Sequence, residues 1–319
     1  MCHFMPINTI HLQIDLGYYY SCLYSNSSPN PTKHRIRSKV ELTPESPPNL
    51  NPESTLKYQH DDLKAIVGES ASQHSLELNK TLSEAYRILT YSLISKSIQP
   101  STLNNINLII NYPLNIYNSN TKSEFEKFIS TPDFINIFVN SQQFTFHISK
   151  CITFPQTIPV AYIHPQHFQN KLHAIIDIGG LTCQGVILDN FNPVPNTKFT
   201  ENLGSIILYN QIRKSLNSKF SINIQDYEMP NIINTGLSSH PIQSKSIINS
   251  IINSHISEII KHLKLNNWSN NLPIMFTGGG ALLIKQYLLQ HFPSAIFSNN
   301  PLWDNVLGLK VVSNSVFQT

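Results

Sequence analysis

Residues 172–189 hold the residue types best suited to binding a phosphorylated ligand. An apolar run ends at Asp177, which is followed by Gly179 and Gly180, and a second apolar run begins at Val186. Two glycines between two β-rich runs predict a hairpin whose tip has positive φ angles or a close backbone approach. Glycine amides can cradle phosphate oxygens while a carboxylate orients Mg²⁺ or its waters. An ordinary hairpin with an Asp-x-Gly turn is the alternative interpretation.

The same arrangement occurs near the N-terminus. The stretch 9–17 alternates apolar and polar residues, as a half-buried strand does, and ends in Asp15-Leu16-Gly17. The tyrosine-rich stretch 18–24 then favours a second strand. Two Asp-x-Gly hairpins about half a chain apart indicate duplicated halves.

A third glycine site lies late in the chain. The predicted strand 272–276 runs into Gly278, Gly279 and Gly280, and a helix is predicted from there through Leu289. Glycines permit close approach and a helix start supplies N–H groups, so this arrangement is typical of anion or nucleotide binding. It matches neither a P-loop nor a Rossmann fingerprint. A tight strand–helix turn is the plainer interpretation.

Composition narrows the function classes. The 319 residues are 40% hydrophobic and only 13% charged, with a net charge of +3. The four cysteines are widely spaced and form no C-x-x-C pair, which favours reduced thiols in a cytoplasmic protein. No apolar run reaches the roughly 18 residues of a membrane span, and no secretory signal is recognised. The small basic cluster at 33–39 is interpreted as a solvated loop in preference to a nucleic-acid contact.

Alternation and helical periodicity predict an α/β chain in both halves. Residues 26–60 are rich in proline and predict an irregular excursion with one short edge strand at 35–42. The other predicted elements are a strand and turn at 66–71, a helix at 76–97, a strand at 105–111, a helix at 121–130 capped by Thr121, a hairpin of 135–139 with 144–148, a helix beginning at Ser205, and a helix at 244–265.

In this order the three glycine sites resemble those of the actin/heat-shock-chaperone/sugar-kinase superfamily, where they form two phosphate loops and an adenosine loop. Finer details resemble the ParM/StbA-type actins that segregate plasmids. The segments that carry this second resemblance are Val67-Gly68-Glu69, the strand end 109–114, the segment Phe154-Pro155-Gln156 through Pro159, and the C-terminal stretch 300–309. Together they span nearly the whole chain.

The resemblance implies a two-lobed actin-like (ribonuclease H-like) fold with a nucleotide cleft between duplicated lobes. Residues 1–160 are expected to form the first lobe, 161–299 the second, and the segment from about 300 to 319 to pack back on the first. The implied activity is ATP hydrolysis coupled to filament assembly, with ATP and Mg²⁺ as cofactors. The expected partners are further copies of the chain and a DNA-binding adaptor, without direct sequence-specific nucleic-acid binding and without a membrane.

The resemblance also implies a role for each matching residue. Asp15 and Asp177 are expected to hold water around Mg²⁺, and Gln156 to orient the attacking water. The remaining expected nucleotide-binding residues are Leu16, Gly17 and Tyr18 in the first loop, Gly179, Gly180, Leu181 and Thr182 in the second, Glu201 and Gly204 toward the sugar, and Gly278, Gly279 and Gly280 under adenine and ribose.

This chain departs from the family pattern in both phosphate loops. Bulky Tyr18–Tyr20 replace small residues, Cys22 stands where a phosphate-contacting lysine is expected, and Gln184 replaces an acidic residue. Losing a lysine costs a phosphate site roughly 1.5–3 kcal/mol. A degenerate scaffold that binds nucleotide poorly is therefore the second hypothesis. A small-molecule kinase is the third, and it requires a catalytic aspartate at 150–160, where the sequence has Gln156 instead.

Overall fold

A computed structural model describes residues 9–26, 31–43, 51–72 and 82–317 of the chain. The chain divides into two compact units, Met1–Ile163 with Asn305–Thr319, and His164–Asp304. Each unit has its own β-sheet with helices, so the predicted α/β class is confirmed. None of the helices in the described ranges combines the length and hydropathy needed to cross a bilayer.

Strands make up the two sheets. In chain order they are β1 (Thr9–Leu16), β2 (Tyr20–Ser25), β3 (Thr32–Arg37), β4 (Val40–Leu42), β5 (Thr55–His60), β6 (Leu63–Gly68), β7 (Leu103–Tyr112), β8 (Ile135–Val139), β9 (Gln142–Pro155), β10 (Leu172–Ile178), β11 (Cys183–Asp189), β12 (Asn192–Pro193), β13 (Phe199–Glu201), β14 (Ile274–Thr277) and β15 (Ile296–Phe297).

Helices pack on these sheets. They are α1 (Glu84–Ser95), α2 (Ser119–Ser130), α3 (Pro159–Ile163), α4 (Pro165–Phe168), α5 (Ser205–Phe220), α6 (Met229–Thr235), α7 (Pro241–Leu265), α8 (Gly279–Leu283), α9 (Lys285–His291) and α10 (Asp304–Phe317), with a 3₁₀ turn at Asp226–Glu228.

The sheet of the first unit has the strand order β3-β2-β1-β7-β9-β8-β5-β6-β4. Strand β1 pairs antiparallel with β2 and parallel with β7, which in turn pairs parallel with β9. The central strands β1 and β7 are covered on both faces, because the adjacent residues Gln13 and Ile14 in β1, and Ile109 and Ile110 in β7, are fully buried. The parallel arrangement places the carboxyl ends of β1, β7 and β9 at one edge, where α/β sheets usually bind ligands.

A bulge interrupts the pairing of β7 with β9. Ile106 lies opposite Ile148, whereas Asn107 lies opposite Lys150, so Ser149 is an extra residue in β9. Even-numbered residues of β9 are buried before the bulge, and odd-numbered residues such as Thr153 are buried after it. The added residue therefore exchanges the two faces of the strand.

The second unit is built on the sheet order β12-β11-β10-β14-β15, with β13 paired to β11. Strand β10 pairs antiparallel with β11, which confirms the predicted hairpin, and parallel with β14. Along α7, Ile248, Ile252, Ile256 and Ile259 recur at helical spacing and are fully buried in the core of this unit. The predicted long helix is thereby confirmed, although it begins slightly earlier, at Pro241.

Several element predictions require correction. The helix predicted at 76–97 spans Glu84–Ser95, because Ser83 is extended and Leu82 is 48% exposed, while residues 73–81 lie outside the described part of the chain. Asn118, not Thr121, caps α2: its side-chain oxygen accepts from the N–H groups of Asn120 and Thr121 at 3.0 and 3.1 Å.

Two further predictions were incomplete. The stretch 26–60 was predicted to hold one short edge strand at 35–42. It contains three strands, β3, β4 and β5, and the predicted range is divided between β3 and β4. The helix predicted to run from the glycine triplet through Leu289 is divided into α8 and α9 at Ile284.

Candidate functional site

Asp15 lies at the end of β1, beside the neighbouring strand end of β7. The side-chain amide of Asn111, at the end of β7, donates to the Asp15 carboxylate. The carbonyl oxygen of the same side chain accepts from the backbone N–H of Leu16 at 2.8 Å. Because Asn111 is only 2% exposed, one buried amide fixes both the carboxylate and the backbone that leads into the turn.

The turn after Leu16 requires glycine. A Cβ on Gly17 would lie 2.6 Å from the carbonyl oxygen of Tyr20, so any other residue would force the turn open. The carbonyl of Gly17 accepts a hydrogen bond from the Ser38 hydroxyl, which also bonds the Ser21 hydroxyl at 2.8 Å. The predicted Asp-x-Gly hairpin of β1 and β2 is thus present, and hydrogen bonds from Asn111 and Ser38 fix its turn.

Gln156 follows directly on β9 and comes to the same sheet edge. Its backbone N–H donates to the Tyr112 carbonyl at 2.9 Å, and its side-chain amide lies 3.4 Å from the Leu16 carbonyl. The side chain is 8% exposed. The first unit therefore brings Asp15, Leu16, Gly17 and Gln156 together, as successive parallel strand ends should.

The tyrosines of the first turn do not all face solvent. Tyr18 is only 9% exposed, and its hydroxyl influences that of Tyr86 on α1. Burial, together with Tyr18, raises the pKa of the Tyr86 hydroxyl. Tyr18 therefore offers only its backbone to a ligand at this turn, and its bulk is accommodated within the unit.

Cys22 lies directly opposite Asp15 in the β1–β2 ladder. Its thiol is 2% exposed, and burial followed by the nearby Asp15 carboxylate raises its pKa. A buried, neutral thiol supplies no positive charge, so the position where the resemblance predicts a lysine contributes no positive charge to phosphate binding here.

In the second unit the turn between β10 and β11 rests on the start of α5. The N–H of Gly204 donates to the Leu181 carbonyl at 2.9 Å, that of Ser205 to Gly179 at 3.0 Å and that of Ile206 to Gly180 at 2.8 Å. A Cβ on Gly204 would collide with the backbone of Gly180 and Leu181, so only glycine permits this approach.

This anchoring leaves the opposite side of the turn with unused donors. The Gly179 N–H closes the turn on the Thr182 carbonyl at 2.8 Å. The N–H groups of Gly180 and Leu181 donate to no protein acceptor among the described residues, and both residues are half-buried. Consecutive backbone donors beside a carboxylate are suited to phosphate oxygens.

Asp177 lies between this turn and the glycine triplet. Strand β10 places it beside Thr277 of β14, and the side chain is 8% exposed. Gly278 has φ +87°, and a Cβ there would collide with the Asp177 carboxylate and the Ile178 carbonyl. The structure thus brings Asp177, the turn 179–182 and the triplet together within one unit.

A buried carboxylate supports the strand end before the triplet. Asp304 is 1% exposed and accepts hydrogen bonds from the hydroxyls of Thr277 at 2.5 Å and Ser298 at 2.7 Å. Burial raises the pKa of this carboxyl, and the two hydroxyls oppose that shift. Sequence reasoning had not assigned a role to Asp304 or to Asn111, although a polar residue closing an apolar strand is a usable signal for the latter.

Two candidate residues have protein partners. The Glu201 carboxylate lies 3.1 Å from Nδ1 of His262 on α7. Gln184 lies opposite Asp177 across the β10–β11 ladder and is 3.4 Å from the Thr182 hydroxyl. Both side chains therefore already have protein contacts within the second unit.

The donor sets fit a nucleotide and its Mg²⁺. At Gly204 and Gly278, neighbouring parts of the second unit approach the backbone more closely than a Cβ would allow. The N–H groups of Gly180 and Leu181, in the turn after β10, are unused. No group of three or more His, Cys, Asp or Glu side chains that could hold a metal occurs in the described ranges. Mg²⁺ commonly binds through one or two carboxylates plus phosphates and waters, so the Asp15 carboxylate of the first unit and the Asp177 carboxylate of the second are each a suitable type of ligand.

Comparison with known proteins agrees with this geometry. Residues 14–158 match the family model described as the actin-like proteins N-terminal domain. No curated protein sequence matches the chain. The matched range of the family model, residues 14–158, includes the first turn, Asn111 and Gln156.

Solved structures share the fold over nearly the full length. The archaeal actin homolog Ta0583, also known in complex with ADP, is 14% identical with a TM-score of 0.79, covering 96% of this chain and 99% of that chain. The Alp12 filament structure is 22% identical with a TM-score of 0.72, covering 97% and 99%. A 15-stranded ParM filament from Clostridium botulinum is 18% identical with a TM-score of 0.72, covering 97% and 99%.

These likenesses confirm the predicted resemblance and the predicted fold class. The chain has the actin-like fold over nearly its whole length, and its residues 14–158 match the model of the actin-like proteins N-terminal domain.

Proposed function

We propose that this chain binds ATP with Mg²⁺ and assembles with further copies of itself into filaments that turn over as ATP is hydrolysed. The observation that carries the proposal is the second-unit cluster, in which the Asp177 carboxylate lies against Gly278 and the turn that follows β10 carries the unused amides of Gly180 and Leu181. Filament structures of similar fold, Alp12 and the Clostridium botulinum ParM, support the assembly step.

The proposed roles follow the chemistry of each group. Asp15 and Asp177 hold the waters of Mg²⁺, and the amide of Gln156 orients the attacking water. Bound Mg²⁺ would neutralise charge that develops on the phosphates. Positioning and electrostatics carry most of phosphoryl transfer, so these few groups suffice in principle.

The other candidate residues bind the nucleotide in this proposal. Leu16, Gly17 and Tyr18 contribute backbone to the phosphates, as do Gly179 through Thr182. Gly278, Gly279 and Gly280 provide the flat surface under adenine and ribose, while Gly204 and Glu201 lie toward the sugar. We assign residues 1–160 with about 300–319, and 161–299, to the two actin-like lobes.

Plasmid or other DNA segregation in the cytoplasm is the proposed use of the filament. The net charge of +3 is small, and basic residues are scattered, so contact with DNA is assigned to an adaptor protein. The presence of ParM proteins among the structures of similar fold supports the proposed use of the filament.

Nucleotide-dependent sedimentation tests the proposal. Wild-type protein is expected to pellet with Mg-ATP and to release phosphate, whereas Asp177→Ala is expected to stay in the supernatant. Asp189→Ala is the matched control, since Asp189 is an exposed carboxylate at the far end of the same hairpin. Wild-type protein that stays soluble at high concentration with Mg-ATP would refute filament assembly, and equal behaviour of both variants would refute the site.

A degenerate scaffold is the second candidate, favoured by the buried neutral Cys22 in the first turn. It predicts feeble nucleotide binding together with assembly that ignores nucleotide. Calorimetric titration with Mg-ATP separates the two: tight binding excludes the scaffold.

A further inference from the structure

A cationic side chain from β3 lies on the same face of the sheet as Asp15. Asp15 lies opposite Cys22 in the β1–β2 ladder, and Cys22 lies opposite Arg35 in the β2–β3 ladder. Directly opposite residues share a face with Cβ atoms about 4.5–5.5 Å apart, so Arg35 is about 10 Å from Asp15 along this row. Both charged groups influence the buried thiol between them: Asp15 raises the pKa of Cys22 and Arg35 lowers it.

The Arg35 side chain extends toward the first turn. Its guanidinium carbon lies 4.2 Å from the ring centroid of Tyr20, which is two residues nearer the turn than Cys22. A guanidinium over a tyrosine face is held by cation–π attraction while its edge donors stay available. Stacking on Tyr20 thus holds the Arg35 guanidinium on the side of β3 toward the first turn.

The neighbouring arginine is already engaged. Arg37 stacks on Tyr19 at 3.5 Å and forms an ion pair with Glu69 at 3.4 Å. Arg35 is exposed and has no carboxylate partner among the described residues. Of the two guanidinium groups beside the turn, only that of Arg35 has its charge uncommitted.

We propose that Arg35 is the cationic phosphate-binding residue of the first loop, supplying from β3 the charge that Cys22 lacks. This inference rests on the proposed nucleotide function. A phosphate bound at the Gly17 turn beside Asp15 lies within reach of an extended arginine two strands away. The planar fork of a guanidinium can donate two parallel hydrogen bonds to phosphate, so it can replace a lysine there.

Calorimetric titration of the full chain with Mg-ATP and with adenosine tests the proposal. Arg35→Gln is expected to weaken Mg-ATP binding about tenfold or more, the usual effect of losing one charged hydrogen bond, and to leave adenosine binding unchanged. Arg35→Lys is expected to restore part of the loss. Lys33→Gln is the matched control, because it removes one exposed positive charge from the same face of β3, about 7 Å farther from the turn. Circular dichroism verifies that each variant is folded.

Each outcome decides between the two proposals. If wild-type protein does not bind Mg-ATP, the proposed function fails and the inference fails with it. If wild-type binds and Arg35→Gln binds equally well, the inference is overturned while the function stands. An equal loss in Arg35→Gln and Lys33→Gln shows a general charge effect and also overturns it, as does an equal loss for adenosine. A loss confined to Mg-ATP and to Arg35 supports it.

Discussion

Replacing Asn111 by alanine tests how the first strand end is held. The side chain is 2% exposed, donates to the Asp15 carboxylate and accepts from the Leu16 N–H at 2.8 Å. A buried N–H without a partner costs about 1–3 kcal/mol, and a hydrogen bond to a charged group contributes about 1.5–3 kcal/mol. Because Asp15 is half-buried and water can replace part of that bond, we expect Asn111→Ala to lower the free energy of unfolding of the first unit by about 3 kcal/mol.

Urea unfolding measures this loss, and the tryptophans localise it. Both tryptophans, Trp268 and Trp303, belong to the second unit, so their fluorescence reports on that unit, whereas far-UV circular dichroism reports on both. The variant should unfold earlier by dichroism than by fluorescence. Asn107→Ala is the control, since Asn107 lies in the same strand, is half-buried and makes no side-chain hydrogen bond among the described residues. A loss in Asn111→Ala no larger than in this control would refute the dual role of the amide.

Two further predictions concern the second unit. Gly278→Ala should abolish Mg-ATP binding in calorimetry and lower the melting temperature, because φ is +87° and the new methyl group would collide with the Asp177 carboxylate. For the melting temperature Gly279→Ala is the control, since there the methyl group meets only the end of the Leu302 side chain at 3.0 Å, and an equal fall in melting temperature for both would contradict the reasoning. His173 is buried, and its pKa is lowered from 6.5 to about 4, so only the unfolded chain takes up the proton between these values. As the pH is lowered from 6.5 to about 4, the free energy of unfolding should therefore decrease, by on the order of 2–3 kcal/mol from this residue. Urea titrations at pH 7 and 4.5 should show a smaller fall for His173→Gln, and an identical fall would count against the assignment.

The local features of the fold could be predicted from sequence. Both Asp-x-Gly hairpins follow from alternation and from glycine at a turn, which act over a few residues. The long helix α7 follows from the spacing of its isoleucines. In each case the signal and the structure lie within one short stretch of chain.

The contacts that complete the site could not be predicted in this way. Asn111 reaches Leu16 across 95 positions of sequence, through the parallel pairing of β1 with β7. No periodicity reports which residue of one parallel strand ends beside another. The misplaced cap of α2 has a different cause: Asn118 and Thr121 can both cap, and the geometry of the turn selects Asn118.

Strand β5 was not predicted, because the prolines that precede it indicate irregular structure throughout 26–60. Thr55–His60 nevertheless pairs with β6 along its whole length, so tertiary pairing overrides a weak local signal there.

The bulge at Ser149 has a consequence for how this chain can change in length. If Ser149 is left out of the count, the buried residues before the bulge and those after it fall on one face of β9: Phe144, Phe146, Ile148, Thr153 and Pro155. An inserted residue is thus absorbed within one step of the ladder, and Gln156 keeps its place beside Leu16. We therefore expect deletion of Ser149 to leave the Gln156 side-chain amide beside the Leu16 carbonyl.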